Sequence, residues 1–264
     1  MKLDQTTREQ LATYLENAEL QREEVTKITD QYPDMDWEDA YDIQDIIRAR
    51  KTARGVRIAG LKMGLTSHAK MKQMGVTEPI HGFITDYGSV ADGGEIPCSR
   101  LIHPKVEAEI AFVTKRALKG PGCHIGDVLA ATDFVLPALE VIDSRYKDFR
   151  FDLKSVIADN TSSARYVLGG YSRSPIGLDL RNLGVVMYKN GEVVATAAGS
   201  AVLGHPASSV AMLANMLGAR GREIPPGTLI LTGGMTEAIP VAAGDNISVG
   251  YQNLGSLSVR FTAG

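Results

Sequence analysis

The run from His103 to Val113, His-Pro-Lys-Val-Glu-Ala-Glu-Ile-Ala-Phe-Val, alternates in a way that only an extended strand can use. Side chains two apart leave one face of a strand, so Glu107 and Glu109 project together while Val106, Ala108, Ile110 and Phe112 form the opposite, core-seeking face. The chain must therefore build a sheet that buries one side of this segment and presents two carboxylates from the other. A third carboxylate, Glu140, sits in Leu136-Pro137-Ala138-Leu139-Glu140-Val141-Ile142, where an unpaired buried charge would be costly. It requires a metal, a proton or a base. Carboxylates about 4 Å apart repel by roughly 4 kcal/mol per pair at an effective dielectric near 20, so three converging ones need a counter-ion. Oxygen-only ligands suit Mg²⁺ or Mn²⁺, with positions left open for water or a chelating substrate. Spacing alone is equally consistent with a solvated strand face and a Glu140 paired to Arg or Lys.

The chain has 264 residues and 44% hydrophobic content, enough for a sizeable core in one large domain or a domain with a helical extension. A formal net charge of −3, with no long basic run, argues against nucleic acid or anionic membrane as partners. No apolar run approaches the roughly 18 residues of a spanning helix. The N-terminus, Met1-Lys2-Leu3-Asp4-Gln5, carries no hydrophobic signal segment, so a cytoplasmic location is expected. Cys98 and Cys123 lack metal-type spacing and are expected to stay reduced. No two of the five histidines stand at i, i+4, so zinc chemistry is not expected.

Residues 1–55 read as a helical extension and residues 56–264 as a β-rich catalytic domain. Leu11, Tyr14 and Leu15 share one helical face; Trp37, Ala40, Tyr41, Ile43 and Ile47 share another, with Asp36 as N-cap. Their apolar faces must pack on the body or on another subunit. From residue 56 onward short apolar segments alternate with glycine. Lys189-Asn190-Gly191-Glu192 predicts a tight hairpin, and Asn253-Leu254-Gly255 a second. A helix is predicted over 206–217, with proline in its first turn and Gly218 at its end; a buried strand over 228–232 then enters the loop Gly233-Gly234-Met235-Thr236.

Gly60-Leu61-Lys62-Met63-Gly64-Leu65-Thr66-Ser67 sets one lysine in an apolar, glycine-punctuated segment, which by composition alone reads as a surface lysine. The order of motifs is more telling. Lys62 in KMGLTS, Asp86 in GFITDY, Glu107 and Glu109 in VEAEIAFV, Glu140 in ALEVIDSR, and Ala158-Asp159-Asn160-Thr161-Ser162-Ser163 together resemble the hydratase/decarboxylase branch of the fumarylacetoacetate hydrolase superfamily over nearly the whole chain. Three segments, Lys62-Met63-Gly64, residues 70–75 (KMKQMG) and residues 231–240 (LTGGMTEAIP), resemble its decarboxylating members. The hydratases tend to have isoleucine after the lysine and serine in place of Gly234.

The resemblance implies an α+β fold, a mixed β-roll body with the helical start attached, and Glu107, Glu109 and Glu140 as ligands of Mg²⁺ or Mn²⁺. It implies loss of CO₂ from 2-oxo-3-hexenedioate to give 2-hydroxypenta-2,4-dienoate in aromatic meta-cleavage catabolism. Hydration of that dienoate is the alternative, and a non-catalytic partner subunit a third reading that the intact site residues disfavour. Carbon–carbon hydrolases of the superfamily resemble one another in a histidine-glutamate pair, which is not evident here. Lys62 is implied to hold the substrate and shuttle a proton, with a Schiff base as the competing role. Asp86 is implied to orient Lys62 or handle a proton, its alternative being an ordinary loop turn, and Ser162 to donate to the substrate carboxylate. His103 is either a supporting group beside the site or structural. A homo-oligomer and a complex with the hydratase are implied. A decarboxylase also needs a weakly paired far carboxylate, so apolar lining from the Met63, Leu65 and Met71 region is expected there, with no arginine in bidentate reach.

Overall fold

The structure, a computed structural model, describes residues 3–67, 71 and 76–264. Of the KMKQMG segment only Met71 falls among them; Lys70, Lys72, Gln73, Met74 and Gly75 lie outside the described residues, as do Met1 and Lys2.

Two 17-residue helices open the chain, α1 (Gln5–Gln21) and α2 (Trp37–Ala53). Asp4 caps the first by accepting from the Thr7 amide, and Asp36 and Asp39 form a reciprocal capping box on the second. Leu11, Leu15, Ala40, Tyr41, Ile43 and Ile47 enter the same hydrophobic core as Val106, Ile110 and Phe112, so the helices pack on the body. Trp37, at the first position of α2, and Tyr14 remain partly exposed.

The strands are β1 (Ile58–Gly64), β2 (Ile80–Thr85), β3 (Ser89–Val90), β4 (Gly94–Pro97), β5 (Pro104–Thr114), β6 (Thr132–Asp143), β7 (Ser163–Leu168), β8 (Gly184–Lys189), β9 (Glu192–Ala198), β10 (Leu229–Leu231), β11 (Ile239–Pro240), β12 (Asn246–Tyr251) and β13 (Gly255–Thr262). Among the described residues they form two sheets. One has the order β2-β1-β10-β5-β6-β7-β3 with β11 beside β5; the other has the order β4-β13-β12-β8-β9. Both predicted hairpins are present: Asn190 and Gly191 turn β8 into β9, and Asn253 and Gly255 turn β12 into β13, all four at positive φ. Helices α3 (Ile125–Ala131), α4 (Leu153–Ala158) and α5 (Pro206–Ala219) complete the fold. The last carries proline in its first turn as predicted and runs one residue past Gly218. No helix among the described residues is long and apolar enough to cross a membrane.

β5 and β6 pair antiparallel over almost their full length and are the spine of the larger sheet. Val106, Ala108, Ile110 and Phe112 point into the main core, so the other face of β5 is left to carry the polar chemistry.

Candidate metal centre

Register assembles the carboxylates. Glu107 lies directly opposite Glu140 across the β5–β6 ladder, and Glu109 lies two residues along on the same face. One oxygen from each falls within 4.8 Å of the others, and all three side chains are buried. Burial first, then the nearby Glu140 carboxylate, pushes Glu109 well above the ordinary carboxylate range; burial also raises Glu140, with Lys62 opposing it. Glu109 Oε2 accepts from the Gly233 amide at 2.7 Å, whereas Glu109 Oε1 and Glu140 Oε2 have no hydrogen-bond partner among the described residues. Buried carboxylates converging from three residues, with unsatisfied oxygens on Glu109 and Glu140, fit a hard divalent cation.

Lys62 is buried on β1, level with Leu231 and hence with Ala111 of β5, so it enters from the Glu109 end. Its Nζ donates to the Thr161 carbonyl at 3.0 Å and lies 2.8 Å from Glu140 Oε1. The Thr161 carbonyl is offered by a 3₁₀ turn, Asn160–Ser162, in which Asn160, Thr161 and Ser162 have φ of 48°, 52° and 57°. Three successive non-glycine residues in the left-handed region are strained and persist only where their surroundings fix them. Asn160 does that. Its side chain accepts from the Phe83 amide and donates to the Phe83 carbonyl, both at 2.9 Å, occupying a place a strand would take beside β2. Gly82 makes room: a Cβ there would meet Thr161 Oγ1 at 2.6 Å and Asn160 Oδ1 at 2.7 Å. The hydroxyls of Thr161 and Ser162 are buried without partners among the described residues.

A second brace lies behind the turn. Arg145 Nε pairs with Asp159 Oδ1 at 2.5 Å, and the guanidinium also donates to the backbone carbonyls of Asp143, Asp159 and Ser163. Burial opposes the charge on both partners. It lifts Asp159 to about 7 against the pull of Arg145, while the Asp159 carboxylate keeps Arg145 raised above its ordinary value.

These groups head a cleft of about 340 Å³, lined by Lys62, Glu107, Thr161 and Ser162 and by Ile142, Phe149, Phe151 and Val156. Among the described residues Lys105 lines it too, and no arginine does.

Two expectations are corrected. Asp86 is not in the cleft. It lies beyond the far end of β2, four residues past the Gly82 that pairs with Lys62, where Oδ1 accepts from the Tyr87 amide and Oδ2 pairs with Arg57 at 3.3 Å. The apolar wall also differs. Because Lys62 faces the cleft, Met63 faces the main core, and Met71, though buried, does not line the cleft; of the three, Leu65 does. His103 pairs with Glu24 at 2.9 Å, away from the carboxylates.

Arg145, Asp159, Asn160 and Gly233 stand within the motifs but gain no role from them, and Lys105 stands in the run from His103 to Val113 without one. Lys105 was readable, since it continues the period-two row of Glu107 and Glu109. The others act through contacts distant in the chain.

The family profile described as "Fumarylacetoacetate (FAA) hydrolase C-terminal" matches residues 57–262. The chain belongs to the fumarylacetoacetate hydrolase family. Among fumarylacetoacetate hydrolase family members, 4-oxalocrotonate decarboxylase of Pseudomonas sp. (strain CF600) is 64% identical over 251 residues, covering 95% of each chain. The 4-oxalocrotonate decarboxylase from Pseudomonas putida G7, solved complexed with magnesium and adipate, superimposes with a TM-score of 0.97 at 61% identity and covers 98% of each chain. The 2-oxo-hept-4-ene-1,7-dioate hydratase of Escherichia coli is 39% identical, covering 98% of this chain and 99% of its own.

Proposed function

We propose that this chain is a Mg²⁺- or Mn²⁺-dependent carboxy-lyase that converts 2-oxo-3-hexenedioate (4-oxalocrotonate) to 2-hydroxypenta-2,4-dienoate and CO₂ in aromatic meta-cleavage catabolism. The observation that carries this reading is the cluster of three buried carboxylates beside a buried lysine, at the head of a cleft whose other walls are largely apolar. The relatives' names support the same activity.

Glu107, Glu109 and Glu140 hold the ion. When bound, it supplies a Lewis acid for the α-keto acid end of the substrate. Lys62, fixed by the Thr161 carbonyl and Glu140, presents an ammonium to the C2 oxygen. Ser162 donates its hydroxyl to the C1 carboxylate. Ile142, Phe151 and Val156 keep water from the far carboxylate, which favours its departure as neutral CO₂. The C5–C6 bond breaks, its electron pair moves through the conjugated carbons to the C2 oxygen, and a proton delivered by way of Lys62 completes the hydroxydienoate. Residues 56–264 carry this chemistry and residues 1–55 brace it.

The sister activity, 2-hydroxypenta-2,4-dienoate hydratase, needs a base and an ordered water at the far end. The described side chains there are apolar apart from Lys105. The same reading extends to a cytoplasmic homo-oligomer that also associates with that hydratase; Ile176, Tyr171 and Val193 are exposed apolar residues open to such contacts.

Incubating the purified chain with 2-oxo-3-hexenedioate and Mg²⁺ tests the reading. CO₂ release with accumulation of the dienoate is expected. Rapid hydration of the dienoate with no CO₂ from the dicarboxylate would overturn it.

A further inference from the structure

The far end of the cleft contains one feature that the chemistry above does not use. Lys105 follows Glu107 and Glu109 on the same face of β5, two residues further from Lys62, and stands level with Ile142 across the ladder. Same-face neighbours on a strand are about 6.6 Å apart. Its ammonium sits 3.8 Å from the centroid of the Phe149 ring. That ring is itself set in place. Asp148 and Phe149 both take left-handed backbone (φ 56° and 58°), and the ring packs against Phe151 at 5.6 Å and His103 at 6.4 Å. A cation is thus seated on an aromatic shelf at the Glu107 end of the carboxylate row.

The geometry points to Lys105 as the group that recognises the second carboxylate of the substrate and so makes the site selective for dicarboxylic α-keto acids. This rests on the α-keto acid reading above. With C–C bonds of about 1.5 Å, an extended six-carbon diacid spans about 6 Å between its carboxyl carbons, close to one same-face step of β5. A diacid whose keto-acid end lies at the glutamates therefore brings its far carboxylate to the level of Lys105. That anion enters a mostly apolar pocket and needs a counter-charge there. Lys105 and Lys62 are the two cationic side chains among the described residues that line the cleft, and Lys62 is held by Glu140 and the Thr161 carbonyl. An ammonium shared with a ring face gives recognition without the bidentate clamp that would hold the leaving carboxylate too firmly.

The role has a kinetic signature. As CO₂ forms, negative charge leaves the neighbourhood of Lys105 for the C2 oxygen, so the attraction belongs to the bound substrate more than to the transition state. Removing it raises KM and does not lower kcat. Lys105 is a recognition residue, not a catalytic one.

Two unreactive probes isolate the interaction. 2-Oxohexanoate and 2-oxohexanedioate share the keto-acid end and differ in the far carboxylate. Titrated calorimetrically into the Mg²⁺-loaded wild-type protein, the diacid should bind about tenfold or more tighter. In Lys105→Met that preference should vanish while affinity for the monoacid holds, and Lys105→Arg should keep much of it. A Lys105→Met protein that retains the full preference would overturn the assignment. So would equal loss of both probes, since Lys105 would then support the cleft as a whole. If neither probe binds the wild type, the α-keto acid reading falls, and this inference with it.

Discussion

Arg145 and Asp159 form a buried ion pair that ties the end of β6 to the turn carrying Thr161 and Ser162. Deleting one partner strands a charge in the interior. Asp159→Leu is expected to cost about 3–5 kcal/mol of folding stability by urea denaturation, and pairing it with Arg145→Met to restore a large part. Equal losses in the single and double variants would show that the pair is not coupled.

Glu107→Gln, Glu109→Gln and Glu140→Gln should each weaken Mg²⁺ binding severely, because each replaces a charged member of the proposed ligand set with a neutral one. Saturating Mg²⁺ should raise the Tm of the wild type by mass action and leave the variants nearly unmoved. Exhaustive chelation should abolish turnover reversibly; full activity in a metal-free sample would refute the site.

Lys62→Ala removes the ammonium beside Glu140 without removing a carboxylate. Turnover should fall roughly 10²–10⁴-fold with Mg²⁺ affinity unchanged or increased. Lys62→Arg should rescue little, since a guanidinium keeps its proton near neutral pH. Borohydride trapping of substrate on Lys62 would favour a Schiff base instead.

Gly82→Ala probes the turn from β2. The added methyl would meet Thr161 Oγ1 and Asn160 Oδ1 at 2.6 and 2.7 Å, so the turn must move away from Lys62. A loss of about 1–3 kcal/mol in stability is expected, with a fall in kcat larger than the unfolded fraction explains. Kinetics alongside a denaturation curve would separate the two.

His81 predicts acid sensitivity. Burial, reinforced by Arg222, lowers its pKa from 6.5 to about 3, and it stacks on Tyr41 with ring centroids 4.5 Å apart. Unfolding raises that pKa, so the unfolded chain binds the extra proton first. The stability contribution is complete above pH 6.5 and is lost as pH falls toward 3, at a slope approaching about 1.4 kcal/mol per pH unit. His81→Phe should flatten this limb of the stability profile; an unchanged slope would exclude His81 as its source.

The sequence made legible what short-range periodicity controls. The two faces of β5 follow from alternation, the capped start of α2 from Asp36, and the β8–β9 and β12–β13 turns from asparagine with glycine. Glu140 could be suspected from its apolar flanks, but its position opposite Glu107, 33 residues earlier in the chain, depends on ladder register, which no local pattern encodes. Asp86 misled because an acidic residue after a strand looks the same in sequence whether it faces a site or Arg57. The Asn160 clamp on Phe83 and the space left by Gly82 are complementary halves of one contact, meaningful only once β2 and the turn are adjacent.

The left-handed turn has a consequence for how this protein can change. Thr161 is β-branched, and it holds a conformation that glycine or asparagine adopts with less strain. Selection for heat resistance alone would pull residues 161 and 162 toward such replacements, relaxing the backbone and deleting the hydroxyls of two residues that line the cleft. A lineage scored only on melting temperature should therefore drift toward a hardier and chemically poorer protein at these positions. One scored on turnover should keep threonine and serine there and gather its stabilising changes elsewhere.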